Sequence, residues 1–192
     1  MKKLFAVLSV VLAFPLFANS FKVDPAASKV EWIGKKVTGQ HNGTLAMKGG
    51  KLEFKGDDLV GGEFSVDMTS LKVLDLTDPG YNKDLTTHLK SDDFFSAEKH
   101  PEAKFVVKSA TKKADGTYEV KGPMTIKGIS QEVTIPLKIE KKGDMVEATG
   151  KASLDRTKWQ IKFRSGRFFP NLGDKLIHDN FEIAVDVKAK KA

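Results

Sequence analysis

Residues 146–154 read VEATGKASL, in which apolar or small side chains alternate one by one with polar ones. This two-residue period is typical of a β-strand with one apolar face directed to the protein interior, here called the dry face, and one polar face directed to solvent. The same period recurs at residues 119–127, 133–140 and 181–188. Because nearly every segment has this pattern, the dry faces must enclose a common interior. The pattern therefore predicts antiparallel strands closed into a barrel or a sandwich.

The strands are placed by this period and by the turn residues between them. Strands are predicted at residues 28–36, 40–47, 51–55, 61–71, 104–110, 117–127, 131–141, 145–155 and 177–190. Pro136 falls inside one of them and lacks an amide donor, so that strand should be an edge or bulged there. The pleat predicts that Val120, Ile135, Val146 and Phe181 are buried and that Glu119, Thr134, Glu147 and Glu182 are exposed.

The period changes after residue 78, where Tyr81, Leu85 and Leu89 recur at four-residue spacing. This spacing predicts one short amphipathic helix. We expect the helix to lie across one mouth of the barrel, with Phe94 and Phe95 tucked under the sheet behind it.

The first residues have the three parts of a secretory signal peptide. Lys2 and Lys3 are basic, residues 4–17 are apolar, and residues 18–20 are small or polar. The apolar run of 14 residues is shorter than a membrane-spanning helix needs. We therefore expect removal of residues 1–18 and a single domain at residues 19–192, located in the bacterial periplasm without stable membrane insertion.

Composition excludes several classes of protein. The chain has no cysteine, so it has neither a disulfide framework nor the lipidated cysteine of a lipoprotein. The net charge of +7 falls to +5 when Lys2 and Lys3 are removed, and Lys and Glu alternate along most strands. This distribution is typical of a solvated surface, and we expect no nucleic acid partner.

Several phrases occur in a characteristic order and spacing. They are VDPAASKV at 23–30, GEFSVDMTS at 62–70, HLKSDDFF at 88–95, GIS at 128–130 and LDRT at 154–157. Together they closely resemble the YceI family over essentially the whole mature chain. The resemblance implies an extended, up-and-down antiparallel β-barrel, similar to a lipocalin, with about eight strands. It also implies a periplasmic protein that holds a polyisoprenoid, an isoprenoid quinone or a fatty-acyl lipid in its lumen.

Small residues at inward positions suggest a lumen that the protein does not fill itself. Such residues are Gly43, Ala103, Gly122, Ala148, Gly150 and Ala152. An eight-stranded barrel can be filled by its own side chains or can hold one small ligand. Alternatively, small residues let strongly bent strands approach each other or form bulges. The family resemblance favours the hollow barrel.

A hydrocarbon ligand gains roughly 0.8 kcal/mol for each methylene taken out of water, so a lumen site needs few polar contacts. The candidate lumen residues share an inward position and are Trp32, His41, Phe54, Phe64, Met68, Phe105, Met124 and Phe181. For each of them, an ordinary core position is the alternative.

Cations alternate with apolar residues between residues 156 and 168. Arginine can bind a phosphate through paired hydrogen bonds. If this segment lies at a mouth of the barrel, Arg164 and Arg167 are the candidate residues for a ligand head group. Simple solvation of these cations is the alternative.

The sequence predicts no catalysis, no cofactor and no metal site. The four histidines, at positions 41, 88, 100 and 178, have no metal-ligand spacing, and neither a nucleophile elbow nor a phosphate-binding loop is present. The leading hypothesis is a binding protein that transports, stores or sequesters an isoprenoid lipid. One alternative is a stress-response or interaction protein with a packed barrel, and another is a partner of an isoprenoid- or quinone-dependent enzyme. The oligomeric state is left open, with a dimer among the options.

Overall fold

The computed structural model describes residues 18–192, so the predicted signal peptide lies outside the described residues apart from Ala18. The strands are β1 (Asn19–Val23), β2 (Lys29–Lys36), β3 (Gly39–Lys55), β4 (Asp58–Val73), β5 (Glu102–Val107), β6 (Ser109–Lys112), β7 (Tyr118–Ile126), β8 (Ile129–Lys142), β9 (Met145–Asp155) and β10 (Ile177–Lys191). Helix α1 (Pro79–Lys90) follows β4, and two 3₁₀ turns, Arg156–Trp159 and Gly173–Lys175, lie between β9 and β10.

The ten strands occupy eight positions around a closed ring. Antiparallel pairing runs through β10, β2, β3, β4, β5, β7, β8 and β9 and returns to β10. β1 pairs with β10 and β3 beyond the end of β2. β6 pairs with β7 beyond the end of β5. Each of these short strands therefore shares a position with its neighbour, and the predicted up-and-down antiparallel barrel with one helix is confirmed.

Side-chain parity follows the prediction. Val120, Ile135 and Val146 are buried and Thr134 is exposed. Glu119, Glu147 and Glu182 lie on the outer face but are half-buried, because their long side chains rest on the sheet beside neighbouring side chains. Phe181 points inward and is also only half-buried.

The predicted strand pattern differs from the structure in three places. The strand predicted at residues 104–110 is divided into β5 and β6, with Lys108 between them. Residues 40–47 and 51–55 belong to one strand, β3, whose register against β4 shifts between Met47 and Gly49. Because a bulge moves the inward parity by one residue, the two halves of β3 look like separate strands in the sequence. β1 was missed because only Phe21 and Val23 alternate in it, and its partners are distant in sequence.

Pro136 lies next to the point in β8 where pairing with β9 ends, although pairing with β7 continues. β8 pairs with β7 from Ile129 to Leu137, but it pairs with β9 only from Leu137 onward. The missing amide of Pro136 therefore falls at an open edge, as predicted. Trp159 lies near this gap, since its fully buried indole donates from Nε1 to the carbonyl oxygen of Met124 at 3.1 Å.

The closed end of the barrel, which contains the β3–β4 and β8–β9 turns, is filled by packed side chains. Residues that are at most 1% exposed there are Phe21, Leu52, Phe54, Val120, Val146 and Ala189. The rings of Phe21 and Phe54 meet edge to face, with centroids 5.5 Å apart. Lys141 covers both rings and donates to the carbonyl oxygen of Gly56 at 2.9 Å.

The opposite end, here called the open end, carries helix α1. The Asp78 carboxylate accepts from the Tyr81 amide at 2.9 Å and Pro79 occupies the first turn, both of which favour helix initiation. Leu89 is buried and Leu85 is half-buried, but Tyr81 is 70% exposed and does not belong to the apolar stripe. In residues 18–192, α1 included, no helix has the length and apolarity to cross a membrane.

Replacing Phe54 by Ala should lower the free energy of unfolding by about 3 to 5 kcal/mol, because it leaves a cavity in the packed closed end. Val60→Ala is the control on the neighbouring strand; Val60 is 46% exposed, so a change within about 0.5 kcal/mol is expected. Urea unfolding with an unchanged slope measures both values. Similar losses in the two variants would contradict the packed closed end.

Candidate functional site

An apolar cavity of about 210 Å³ lies inside the barrel. A cavity of this size is many times larger than the space that one water molecule needs. All eight strand positions contribute to its wall, and α1 contributes Leu85 and Leu89. Phe94 and Phe95 also line it, as the sequence predicted for a pair tucked under the sheet.

Several inward side chains remain partly exposed even though they lie on the dry face. Trp32, Val66, Phe181, Ile183 and Val185 are half-buried and line the cavity. A packed interior has the density of an organic crystal and leaves few such voids. The residual exposure is directed into the lumen, so the barrel is hollow.

The small inward residues have two different roles. Ala103 and Ala148 line the cavity and contribute its volume. A Cβ atom on Gly43 would lie 1.8 Å from a backbone oxygen, one on Gly122 would lie 1.9 Å from another, and one on Gly150 would lie 2.3 Å from a third. The glycines therefore permit close approach of neighbouring strands, which was the alternative interpretation of these residues.

The structure brings together seven of the eight predicted lumen residues. Those that line the cavity are Trp32, His41, Phe64, Met68, Phe105, Met124 and Phe181. Phe54 is the eighth and does not line it. Its inward position is correct, but it lies in the closed end, where Phe21 packs against it.

His41 combines a place in the cavity wall with a structural hydrogen bond. Its Nδ1 lies 2.7 Å from Oδ2 of Asp75, and Oδ1 of Asp75 accepts the Asn42 amide at 2.9 Å. Burial opposes ionisation of Asp75, but the hydrogen bonds from Asn42 and His41 hold its pKa below the usual value. This pair fixes the start of β3 to the residues that follow β4.

A bulge in β10 forms the rim of the cavity at the open end. Ile177 pairs with Lys36 and Phe181 pairs with Gly34, so three residues of β10 lie opposite one residue of β2. Bulges at barrel rims redirect side chains. His178 and Asn180 are consequently exposed to solvent and also border the cavity. We infer that the cavity opens at this point.

These rim residues were missed in the sequence. Alternation along β10 places His178 and Asn180 on the outer face, together with Glu182. Only the pairing with β2 reveals the bulge, which leaves residues 178–180 without paired partners on β2 and places two of them beside the cavity. No local signal in residues 177–181 indicates this, since the irregularity depends on a strand about 145 positions earlier in the chain.

The segment that follows β9 is not the alternating strand that its sequence suggests. Arg156 is 4% exposed, and its guanidinium donates to the carbonyl oxygens of Ile161, Ile177 and His178 at 2.8 to 3.0 Å. Burial lowers the pKa of Arg156, although the nearby Asp179 favours its charged form. Arg156 therefore fastens the 3₁₀ turn to the start of β10.

Arg164 and Arg167 do not line the cavity. Arg164 is exposed, with its guanidinium 5.1 Å from the centre of the Phe163 ring. Arg167 donates to Asp155 at 3.1 Å and to Thr157 at 3.0 Å. Since Arg167 already has carboxylate and hydroxyl partners, the structure does not bring the two predicted head-group residues together at the cavity.

The remaining histidines do not form a metal centre. The ring of His88 lies between Phe94 and Phe163, with centroids 5.0 and 4.7 Å away, and its Nε2 is 3.0 Å from Asp93. These contacts give His88 a hydrogen-bonded structural role. Within residues 18–192, no group of three or more His, Cys, Asp and Glu side chains could hold a metal ion.

Comparison with known proteins relates this barrel to one family. The family model described as YceI-like domain matches residues 21–189. A UPF0312 protein of Photorhabdus laumondii is 27% identical over 173 residues, which cover 88% of this chain and 86% of that relative.

Two solved structures share the fold. BcnA of Burkholderia cenocepacia has a TM-score of 0.69 at 22% identity, covering 88% of this chain and 99% of that chain. A polyisoprenoid binding domain from Saccharophagus degradans has a TM-score of 0.63 at 9% identity, covering 91% of this chain and 99% of that chain.

Replacing Asp155 by Asn should lower the free energy of unfolding by about 1 to 2 kcal/mol at pH 7, because a charged hydrogen-bond acceptor is lost. Burial opposes ionisation of Asp155, but hydrogen bonds from Thr157 and Arg167 hold its pKa below the usual value. A carboxyl group with a lowered pKa stabilises the fold above the unfolded-state pKa near 4, and this stabilisation is lost as the pH falls through the folded-state pKa.

The difference in the free energy of unfolding between the wild type and the Asp155→Asn variant should therefore shrink as the pH falls below about 4. Urea unfolding at a series of pH values measures it. Asp144→Asn is the control, because Asp144 is 82% exposed and its ion pair is long, at 3.9 Å. A difference that stays constant from neutral to acidic pH would count against the proposed role of the Asp155 carboxylate.

Proposed function

The chain belongs to the YceI-like family, and we propose that it binds one long isoprenoid chain in the lumen of its barrel. The observation that carries the proposal is the apolar cavity, whose wall consists of partly exposed inward side chains. Each methylene that enters it would gain roughly 0.8 kcal/mol. Ten methylene groups would gain about 8 kcal/mol before the ordering costs of binding. The related domain from Saccharophagus degradans is described as polyisoprenoid binding, which supports the proposal.

The two ends of the barrel give the ligand a direction. The closed end is packed with residues such as Phe21 and Phe54, so it offers no passage for a chain. At the open end, the rim bulge of β10 borders the cavity. In the proposed complex the hydrocarbon tail points toward the closed end and the polar head stays at the rim.

The rim residues suit a polar head group better than the predicted arginines do. Lys36, His178 and Asn180 border the cavity and are exposed, so they can donate to a hydroxyl, a quinone oxygen or a phosphate without leaving water completely. Arg167 is already bound to Asp155. The head group is therefore assigned to the β2 and β10 side of the rim.

The proposed role is transport, storage or sequestration of this lipid in the periplasm, without a chemical step. The proposed location is based on the signal-peptide pattern of residues 1–18. The alternative of a packed, ligand-free barrel required a filled interior, and the cavity argues against it.

Val185→Phe should block the lumen. Val185 lines the cavity and is half-buried, so the larger ring would occupy space in the lumen. If the ring displaces about three methylene groups, affinity falls by roughly 2.4 kcal/mol, or about 50-fold. The measurement is a titration with geranylgeraniol, a linear prenyl alcohol, followed through the fluorescence of Trp32 in the cavity wall.

Ala184→Phe is the matched control. Ala184 is the neighbouring residue of β10, is also half-buried and does not line the cavity, so its replacement should leave the affinity nearly unchanged. Native mass spectrometry of the exported protein, followed by organic extraction, tests the natural ligand. A wild-type protein that retains no lipid and does not bind the prenyl alcohol would contradict the proposed function.

A further inference from the structure

Exposed apolar side chains are concentrated around the open end. In the described part of the chain the large hydrophobic residues that are exposed number seven, and five of them lie here: Val37, Leu74, Tyr81, Phe168 and Phe169, which are between 42% and 70% exposed. The other two, Val60 and Met145, flank the closed end. Single exposed hydrophobic residues are ordinary, but a cluster at one end of a molecule marks an interaction surface.

Backbone hydrogen bonds place the first part of this cluster at the rim. Val37, in the β2–β3 turn, donates to the carbonyl oxygen of Leu176 at 3.2 Å, immediately before β10. Leu74, just after β4, donates to the carbonyl oxygen of Asn42 at 2.9 Å. Tyr81 lies in the first turn of α1, which begins shortly after Leu74.

The second part lies on the loop between β9 and β10. The amides of Phe168 and Phe169 both donate to the carbonyl oxygen of Ser165, at 3.1 and 3.0 Å. The same loop is fastened to the rim because the amide of Ile177 donates to the carbonyl oxygen of Arg164 at 2.9 Å. The apolar side chains thus extend from this loop past the β2–β3 turn to α1.

Cations without carboxylate partners lie among these apolar residues. Five cations near these residues form no ion pair within residues 18–192, namely Lys36, Lys158, Lys162, Arg164 and Lys175. The ammonium group of Lys162 lies 4.8 Å from the centre of the Phe168 ring. Cations that are unpaired in the described part of the chain, such as Lys55 and Lys190, lie near the closed end as well, so the open end differs from it by the exposed aromatic rings that accompany the cations.

We propose that the open end docks on the surface of an anionic lipid bilayer, with Phe168 and Phe169 inserted between the head groups. Apolar side chains interspersed with Lys and Arg are the composition that binds such surfaces, and the binding is reversible when the apolar area is small. The docked orientation points the lumen at the membrane. The inference rests on the proposed function in one respect, since docking at this end would let an isoprenoid chain pass into the lumen without crossing water.

The test is flotation of the protein with vesicles of phosphatidylglycerol and phosphatidylcholine in equal parts, compared with vesicles of phosphatidylcholine alone. We expect binding to the anionic vesicles that weakens as salt is raised. The double variant Phe168→Ser, Phe169→Ser should lose at least about tenfold in binding, because the inserted apolar area is removed. The double variant Lys162→Gln, Arg164→Gln should also bind more weakly and should lose most of the salt dependence.

The matched control is the double variant Val60→Ser, Met145→Ser at the closed end. Val60 and Met145 are 46% and 41% exposed, as Phe168 and Phe169 are 42% and 47% exposed. Vesicle binding of the control should equal that of the wild type. Equal losses in the open-end and closed-end variants would overturn the proposal, and so would a wild type that binds neither kind of vesicle.

A titration with geranylgeraniol in the absence of vesicles separates this proposal from the lumen proposal. The Phe168→Ser, Phe169→Ser variant should bind the prenyl alcohol as the wild type does, because neither residue lines the cavity. Lost vesicle binding with retained prenyl binding supports a separate docking surface. If the wild type binds vesicles but does not bind the prenyl alcohol, the result contradicts the lumen proposal and leaves the docking proposal standing.

Discussion

The pairing of β10 with both β9 and β2 is the interaction on which the rest of the structure depends. β10 follows β9 from Asn180 to Lys190 and follows β2 from Ile177 to Asp186, with a bulge near its start. This closure leaves the ring without an edge between the first and last strands, where unpaired amides and carbonyls would otherwise face solvent. It also brings the dry faces of all the strands to one interior. Hollow or filled, that interior exists only because the ring is closed.

The two ends of the barrel are built differently, so the lumen has one closed end and one open end. At one end β1 joins the ring beside β10, and Phe21 from β1 completes an apolar cluster with Phe54. At the other end the β10 bulge interrupts pairing with β2, and α1 covers only part of the opening. A lumen that is sealed at one end and bordered by polar groups at the other suits a ligand with a long apolar tail and one polar head.

The charged residues near the open end illustrate how burial decides their role. Arg156 and Arg167 are close in sequence, but Arg156 is almost completely buried and bound to backbone carbonyl oxygens, while Arg167 is exposed and bound to Asp155. Both fasten the segment after β9 to its surroundings. The cations left over, such as Lys162 and Arg164, face solvent beside aromatic rings and carry the proposed contact with a bilayer.

The sequence alone determined the features that depend on neighbouring residues in one strand or helix. The alternation of apolar and polar residues gave the bounds of β9 and the inward parity of the lumen residues. The change to a four-residue period located α1. Both patterns are readable because the strand pleat and the helical turn are local geometries. Only the tertiary structure decided how far along the lumen each inward residue lies. Phe54 and Phe181 share the inward parity, yet one is packed against Phe21 and the other lines the cavity. The position of His178 beside the cavity and the pairing of Arg167 with Asp155 were likewise decided by tertiary contacts, because register shifts and bulges leave no local trace in the sequence.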